Sequence, residues 1–329
     1  MRIRPHQALL TLTVAGLVLS GCAGAPKDDD TAKASAGYPV TVSSCGFETT
    51  VKAKPERAIT MNQGATEVVL ALGAEDQLAG TAYLDDAVAD RWKPAYDSVK
   101  VLSKEYPDGE TVLAAKPDFV YGSYASAFDA KSAGTQESLA KLGIGSFLSL
   151  FGCGENKPSE DVSFASVWKE VRLAGEVFGA PDRAAAIEKE QQAALADLAA
   201  EKPADGQKIF WYDSGDKTAF AGAGEGGPQL VIDAIGGSNI FADLDGGWKD
   251  VSWEKVIAAD PDVIVLADAS WSTAAEKIEL LEKDPVLSKL RAVREKKFVT
   301  LPFSETTPGV RLVDGAEHVA EQVRQLNAG

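Results

Sequence analysis

Two stretches of this chain, 144 positions apart, repeat one pattern. The first is Glu110-Thr-Val-Leu-Ala-Ala-Lys-Pro117-Asp118-Phe-Val-Tyr121. The second is Glu254-Lys-Val-Ile-Ala-Ala-Asp-Pro261-Asp262-Val-Ile-Val265. Six of the twelve positions are identical, and each glutamate stands seven residues before a Pro-Asp pair. An acidic residue suits the positive end of a helix dipole. The helix must stop before the proline, whose predecessor is pushed out of helical geometry. The apolar run after Pro-Asp reads as a strand buried on both faces. Each segment therefore predicts helix, stop and buried parallel strand, and the pair predicts a chain of two similar halves.

The chain has 329 residues, 45% hydrophobic and 25% charged, which is ordinary for a globular protein of two domains. Its N-terminus reads as a leader outside the fold. Arg2 and Arg4 precede a short apolar run from Ala8 to Leu19, and Leu19-Ser20-Gly21-Cys22 follows. Small residues before a cysteine resemble the bacterial lipoprotein box, which implies cleavage after residue 21 and lipidation of Cys22; a plain secretory signal is the alternative. Residues 22–37, with Asp28-Asp29-Asp30 and many Ala, Ser and Lys, read as a flexible tether. No other apolar stretch is long enough to span a bilayer. The chain is thus expected to be exported and held to the outer face of the cytoplasmic membrane by lipid alone.

With Cys22 lipidated, Cys45 and Cys153 remain. An even remainder in an oxidising compartment suggests a disulfide, with two free thiols as the alternative. Removing Arg2 and Arg4 with the leader leaves 31 basic against 49 acidic side chains, a net −18, which argues against nucleic acid as a partner.

Strands are predicted at 57–61, 78–83, 118–121 and 145–150. Thr66 is expected to cap a helix over 67–72. The second half repeats the order with strands at 208–213, 263–267 and 298–301, helices over 229–235 and 310–326, and Pro228 as the first helical residue. Strands alternating with helices predict parallel sheets. Between the halves, Phe164, Trp168, Val171, Gly175 and Phe178 share one helical face, and the alanine-rich run 183–201 reads as a rigid strut about 28 Å long. The expected organisation is an N-terminal lobe at 38–180, a linker helix at 181–203 and a C-terminal lobe at 204–329.

Only His6 and His318 occur, and His6 leaves with the leader, which excludes a metal site built on several histidines. Gly222-Ala-Gly224-Glu-Gly226-Gly227 satisfies a dinucleotide pattern, the basis for an alternative as an exported dinucleotide-using enzyme. The preferred reading is a loop whose backbone N–H groups and helix N-terminus face a cleft and hold an anionic group. In open α/β sheets ligands bind outside the carboxyl ends of strands. Tyr83, Tyr124, Tyr212, Trp248 and Trp271 fall near such ends and can stack on a ligand. Lys104 and Arg311 are candidate cationic anchors.

With these residues placed, the chain resembles substrate-binding lipoproteins of importers of iron-siderophores and cobalamin. The resemblance spans nearly all of residues 45–326. It rests on Pro55-Glu56-Arg57-Ala-Ile-Thr, Ala65-Thr66-Glu67, both Glu…Pro-Asp segments, Gly236-Gly-Ser-Asn239-Ile and Val310-Arg311. It implies two Rossmann-like α/β lobes with parallel sheets, joined by one long helix, with a ligand cleft between them. It also implies a monomer without catalysis or resident cofactor, whose partners are a small-molecule ligand, an ABC permease and its ATPase. Glu110 and Glu254 match the glutamates that dock onto the permease. Tyr83 and Trp248 match aromatics of the cobalamin binder, whose aromatic six positions before the first glutamate is Lys104 here. Trp211-Tyr-Asp-Ser-Gly215, Ser270-Trp271-Ser-Thr-Ala-Ala275 and Leu301-Pro-Phe303 resemble an actinobacterial branch provisionally assigned to uptake of a deazaflavin cofactor precursor. The expected ligand is an iron-siderophore-type chelate, with that precursor or a corrinoid as alternatives.

Overall fold

The structure, a computed structural model, describes residues 37–154 and 157–328. The leader, the lipidation residue Cys22 and the tether up to residue 36 lie outside the described residues. The N-terminal lobe opens on an antiparallel hairpin of β1 (Val40–Ser44) and β2 (Phe47–Val51). Next come β3 (Ala58–Met61), α1 (Gln63–Ala71), β4 (Leu78–Ala82), α2 (Lys93–Ser98) and β5 (Val101–Ser103). The lobe continues with α3 (Gly109–Ala114), β6 (Phe119–Gly122), α4 (Gln136–Lys141) and β7 (Gly145–Leu148). Its sheet has the order β5-β4-β3-β6-β7, and every pair is parallel. Two helices follow, α5 (Phe164–Val177) and α6 (Pro181–Glu201). The C-terminal lobe contains β8 (Lys208–Ser214), β9 (Ala219–Gly222), α7 (Gly227–Ala234), β10 (Ser238–Asn239), β11 (Trp248–Val251) and α8 (Trp253–Ala259). It ends with β12 (Val263–Asp268), α9 (Ala274–Lys283), α10 (Arg291–Arg294), β13 (Phe298–Pro302) and α11 (Leu312–Ala328).

The twin segments fold alike down to single hydrogen bonds. α3 and α8 each end at a non-glycine residue in the left-handed region just before the proline, Lys116 (φ 51°) and Asp260 (φ 44°). Such a residue reverses the chain sharply, so the following strand can enter the sheet. The Asp of each Pro-Asp pair then fastens the start of the neighbouring parallel strand, β3 in one lobe and β8 in the other. Asp118 accepts from the N–H groups of Glu56 and Arg57 at 2.7 and 3.1 Å, and Asp262 accepts from Lys208 N–H at 2.7 Å. Arg57 in turn donates to Ala115 O and Lys116 O just past α3, and Lys208 to the last carbonyl of α8, that of Ala259.

The lobes differ at one edge, which corrects the expectation of two parallel sheets. The C-terminal sheet runs β11-β9-β8-β12-β13, with β10 also on β8. β12 and β13 are parallel to β8, but β9 and β11 are antiparallel. If the Asp-clamped residues align the two lobes, β8 is three residues longer than β3. It passes the strand end, turns at Gly215 (φ 89°) and returns as β9. β10, which follows α7 as β4 follows α1, is left with two residues. A second correction concerns α1. It starts at Gln63, four residues before the expected start, and Thr66 lies inside it, donating to Asn62 O at 2.9 Å and bonding Thr81 in the core.

α6 packs Ala184 and Ile187 into the N-terminal core and Leu198 into the C-terminal core. It is not alone, however. α5 lies beside it, with Trp168 Nε1 donating to Gln191 at 2.8 Å and Arg172 paired with Glu188. The link between the lobes is a helical pair.

Cys45, at the β1–β2 turn, is bonded to Cys153 beyond β7, with the Cα atoms 5.3 Å apart. The bridge closes a separation of 108 residues, worth about 4–5 kcal/mol in the chain-entropy model. Replacing both cysteines by serine is expected to lower the denaturation midpoint accordingly at unchanged slope. A loss under about 1 kcal/mol would show that the hairpin is held by packing alone.

Candidate functional site

The carboxyl ends of the strands from both lobes converge where the lobes meet. Among the described residues, four polar contacts run between them from lobe to lobe. Arg311, at the start of α11, reaches Glu67 of α1 at 3.3 Å and Ala87 O at 3.4 Å. Ser304 N–H donates to Asp86 at 3.0 Å, and Arg91 pairs with Asp314 at 2.6 Å. Arg311 is also paired with Glu305 and donates to Ser304 Oγ at 2.6 Å. Its partners Glu67 and Glu305 are each 1% exposed. Burial pushes the Glu67 carboxyl up to about 7, outweighing the attraction of Arg311. Burial opposes the guanidinium charge, but Glu67 and Glu305 more than offset it and hold Arg311 protonated. Arg311 is thus buried and committed to carboxylates, where a ligand anchor was expected.

The N-terminal wall is aromatic and acidic. Tyr83 follows β4 with φ 55° and meets Tyr106 edge to face at 4.6 Å. Tyr106 is fixed by its hydroxyl, 3.0 Å from Asn62 and 2.8 Å from Ser126. Tyr124, after β6, is half-buried, and burial raises its phenol well above the usual range, with a further contribution from Asp85. Burial and the neighbouring Asp86 push Asp85 up to about 6. Lys104 is exposed just after β5. From the C-terminal lobe, Trp271 lies after β12, 57% exposed, its ring against Phe303 at 4.9 Å.

Other candidates fall elsewhere. Tyr212 is a core residue: its hydroxyl donates to Gly215 O at 2.9 Å and its ring meets Trp253. Trp248 stands on the edge strand β11 opposite Gly222, with its indole nitrogen buried and without a partner among the described residues. Three backbone N–H groups of the glycine loop are turned to the protein itself. Those of Ala223, Gly224 and Glu225 donate to Gly247, Leu244 and Gly246 at 2.9–3.0 Å, fastening the loop to the segment before β11. Side chains at Gly224 and Gly226 would strike that segment, which explains the glycines by close backbone approach. Glu110 and Glu254 are both exposed in the first turns of α3 and α8.

Tyr106 against Tyr83, Phe303 against Trp271 and Asp86 against Ser304 join the candidate residues, and sequence reasoning had not assigned them there. The strand-end rule that selected Tyr83 would have found Asp85 and Asp86 two and three residues further on. A concavity of about 270 Å³ lies between α6, α11 and Trp92, but it includes none of the strand-end aromatics, and its arginines pair with Asp314 and Glu190.

Two α/β lobes joined by a long helix, with aromatic pairs at the strand ends of each, have the architecture of a bilobal binding protein. The chain belongs to the periplasmic binding protein family, whose sequence pattern matches residues 59–305. It is 25% identical over 321 residues to the uncharacterized ABC transporter substrate-binding lipoprotein YvrC of Bacillus subtilis, covering 95% of each chain. It is 23% identical to a vitamin B12-binding protein of Vibrio parahaemolyticus, covering 71% of this chain and 80% of that one. A periplasmic binding protein from Veillonella parvula superposes with a TM-score of 0.76 at 29% identity, over 87% of this chain and 97% of that one.

Proposed function

We propose that this chain is the exported, lipid-anchored substrate-binding component of an ABC importer. It captures an iron-siderophore-type chelate or a similar cofactor-sized molecule between its lobes and hands it, as a monomer, to a permease coupled to an ATPase. The observation that carries the reading is an aromatic pair at the carboxyl ends of the strands of each lobe, Tyr83 against Tyr106 on one and Trp271 against Phe303 on the other. The relative described as a substrate-binding lipoprotein supports the class and the anchor. The relative that binds vitamin B12 supports a corrinoid as the second reading.

Ligand capture of this kind breaks no bond, and no residue is assigned a catalytic role. The dinucleotide-using alternative loses three of the loop's backbone donors, those of Ala223, Gly224 and Glu225, which are occupied. An anionic deazaflavin precursor loses Arg311 and those three donors as anchors and keeps Lys104.

Mass spectrometry of whatever co-purifies, followed by fluorescence titration with ferric siderophores, cobinamide and deazaflavins, tests the proposal. One member is expected to bind at about micromolar Kd or tighter. Tyr83→Ala or Trp271→Ala should each weaken it about tenfold, since a buried aromatic anchor contributes about 1.4 kcal/mol or more. Failure of the whole panel to bind would remove the reading.

A further inference from the structure

Lys277 is 3% exposed, although it sits in the first turn of α9, where a lysine would ordinarily reach solvent. Burying an ammonium is expensive unless it is paired and hydrogen-bonded, and an apolar side chain would pack beside Tyr212 without that cost. The ammonium donates to two carbonyls, Ala267 at the end of β12 and Ser272, the latter at 2.8 Å. Burial pulls its pKa down, and Asp213 and Asp268 counter that effect. The ring of Tyr212 lies 5.9 Å away.

Those two carbonyls flank one short loop, residues 268–272, whose tip is Ser270-Trp271. The loop is also closed on itself, with Ala269 and Ser272 exchanging backbone bonds at 3.3 and 3.0 Å. Asp268 accepts from Ala274 N–H at 2.8 Å, and Thr273 and Glu276 form a capping box. Trp271 itself remains 57% exposed, touching Phe303. The loop is thus fastened from below, and its largest side chain stands clear. This arrangement makes sense for an indole that must be presented in one orientation.

We propose that Lys277 is a positioning residue for ligand capture: from inside the lobe it clamps the two ends of the 268–272 loop and so orients Trp271 toward the cleft. The inference rests on the binding-protein reading above. A pre-set aromatic plate avoids ordering cost when the ligand arrives. Lys277 touches no ligand and acts only through the loop.

Two measurements test it, and only the second needs a ligand. Amide hydrogen exchange on the full mature chain is compared for wild type and Lys277→Met. Exchange at Ser272 and Ala274 is expected to rise about tenfold while Ile264 and Leu266 within β12 keep their protection. Unchanged exchange at the loop, or equal loosening of the strand, would overturn the clamp. Affinity for ferrioxamine B, cyanocobalamin or dicyanocobinamide, whichever wild type binds, is then measured for Lys277→Met, Trp271→Ala and the double variant. If Lys277 acts through Trp271, each single change costs about tenfold and the double costs no more than the larger single loss. Additive losses would assign Lys277 a separate, merely structural role and overturn the inference. Lys277→Arg, which keeps donors and charge, should recover part of the affinity. Wild type that binds neither these three probes nor any other member of the panel above overturns the cleft reading and the ligand half of this inference, while the exchange result still decides the clamp.

Discussion

Replacing Arg311 by alanine is expected to destabilise the protein by about 3–5 kcal/mol, the usual consequence of leaving a buried charge without its partner. The reason lies in the arrangement of the network. Glu67 and Glu305 are almost fully enclosed, and Arg311 is the guanidinium between them, contributed by one lobe and bonded to the other. Alanine removes the cation and leaves both carboxylates in place. Glu67, already pushed up to about 7 by burial, would be neutralised most readily; Glu305 retains His318 Nδ1 at 2.6 Å. Combining Arg311→Ala with Glu67→Gln should therefore be less destabilising than Arg311→Ala alone. Chemical denaturation of the three proteins checks this. A loss below about 1 kcal/mol, or a double variant worse than the single, would mean that the network is solvated and weak.

Reversing the charge at both Glu110 and Glu254 is expected to abolish uptake while leaving ligand affinity within about twofold. Each glutamate is exposed on the first turn of its helix, outside the cleft aromatics, so neither the fold nor the ligand depends on it. If they dock onto arginines of a permease, arginine at both positions would place like charges face to face. That costs several kcal/mol, or more than a hundredfold in complex formation. Transport into cells or proteoliposomes, compared at matched protein levels, decides the matter. Uptake that persists at the wild-type rate removes the docking role, and loss of ligand binding would place the glutamates in the cleft after all.

Much of the frame could be read directly from residue order. The Pro-Asp joints, the alternation of helix and strand and the alanine-rich strut are local signals, and the structure has β6, β12 and α6 where those signals lie. The β1–β2 hairpin was missed because the element it packs against, β7, lies far along the chain. The antiparallel edge was missed because Lys208-Ile-Phe-Trp-Tyr-Asp reads as a buried strand in either direction, and only the turn at Gly215 decides the return. The helix start at Gln63 could not be read from a cap, since Asn62 makes no side-chain capping bond.

For the candidate site, the strand-end rule gives positions and not orientations. Tyr83, Tyr124 and Trp271 stand where strand ends put them. Arg311 and Tyr212 obey the same rule, yet their side chains turn inward to partners that are distant in sequence or on another element. Position along a strand predicts which end of the sheet a residue occupies, but not whether it meets a ligand or the core.

The two aspartate clamps lie at the amino ends of β6 and β12, whereas the cleft residues follow the carboxyl ends of the same strands. What holds each lobe in register and what meets the ligand are therefore separated by the length of a strand. Substitutions can accumulate at one end without disturbing the other. A duplicated unit of this kind can change its cargo many times over its descent while the frame stays the same. On that account the joints would carry the record of common ancestry, and the cleft the record of each lineage's diet.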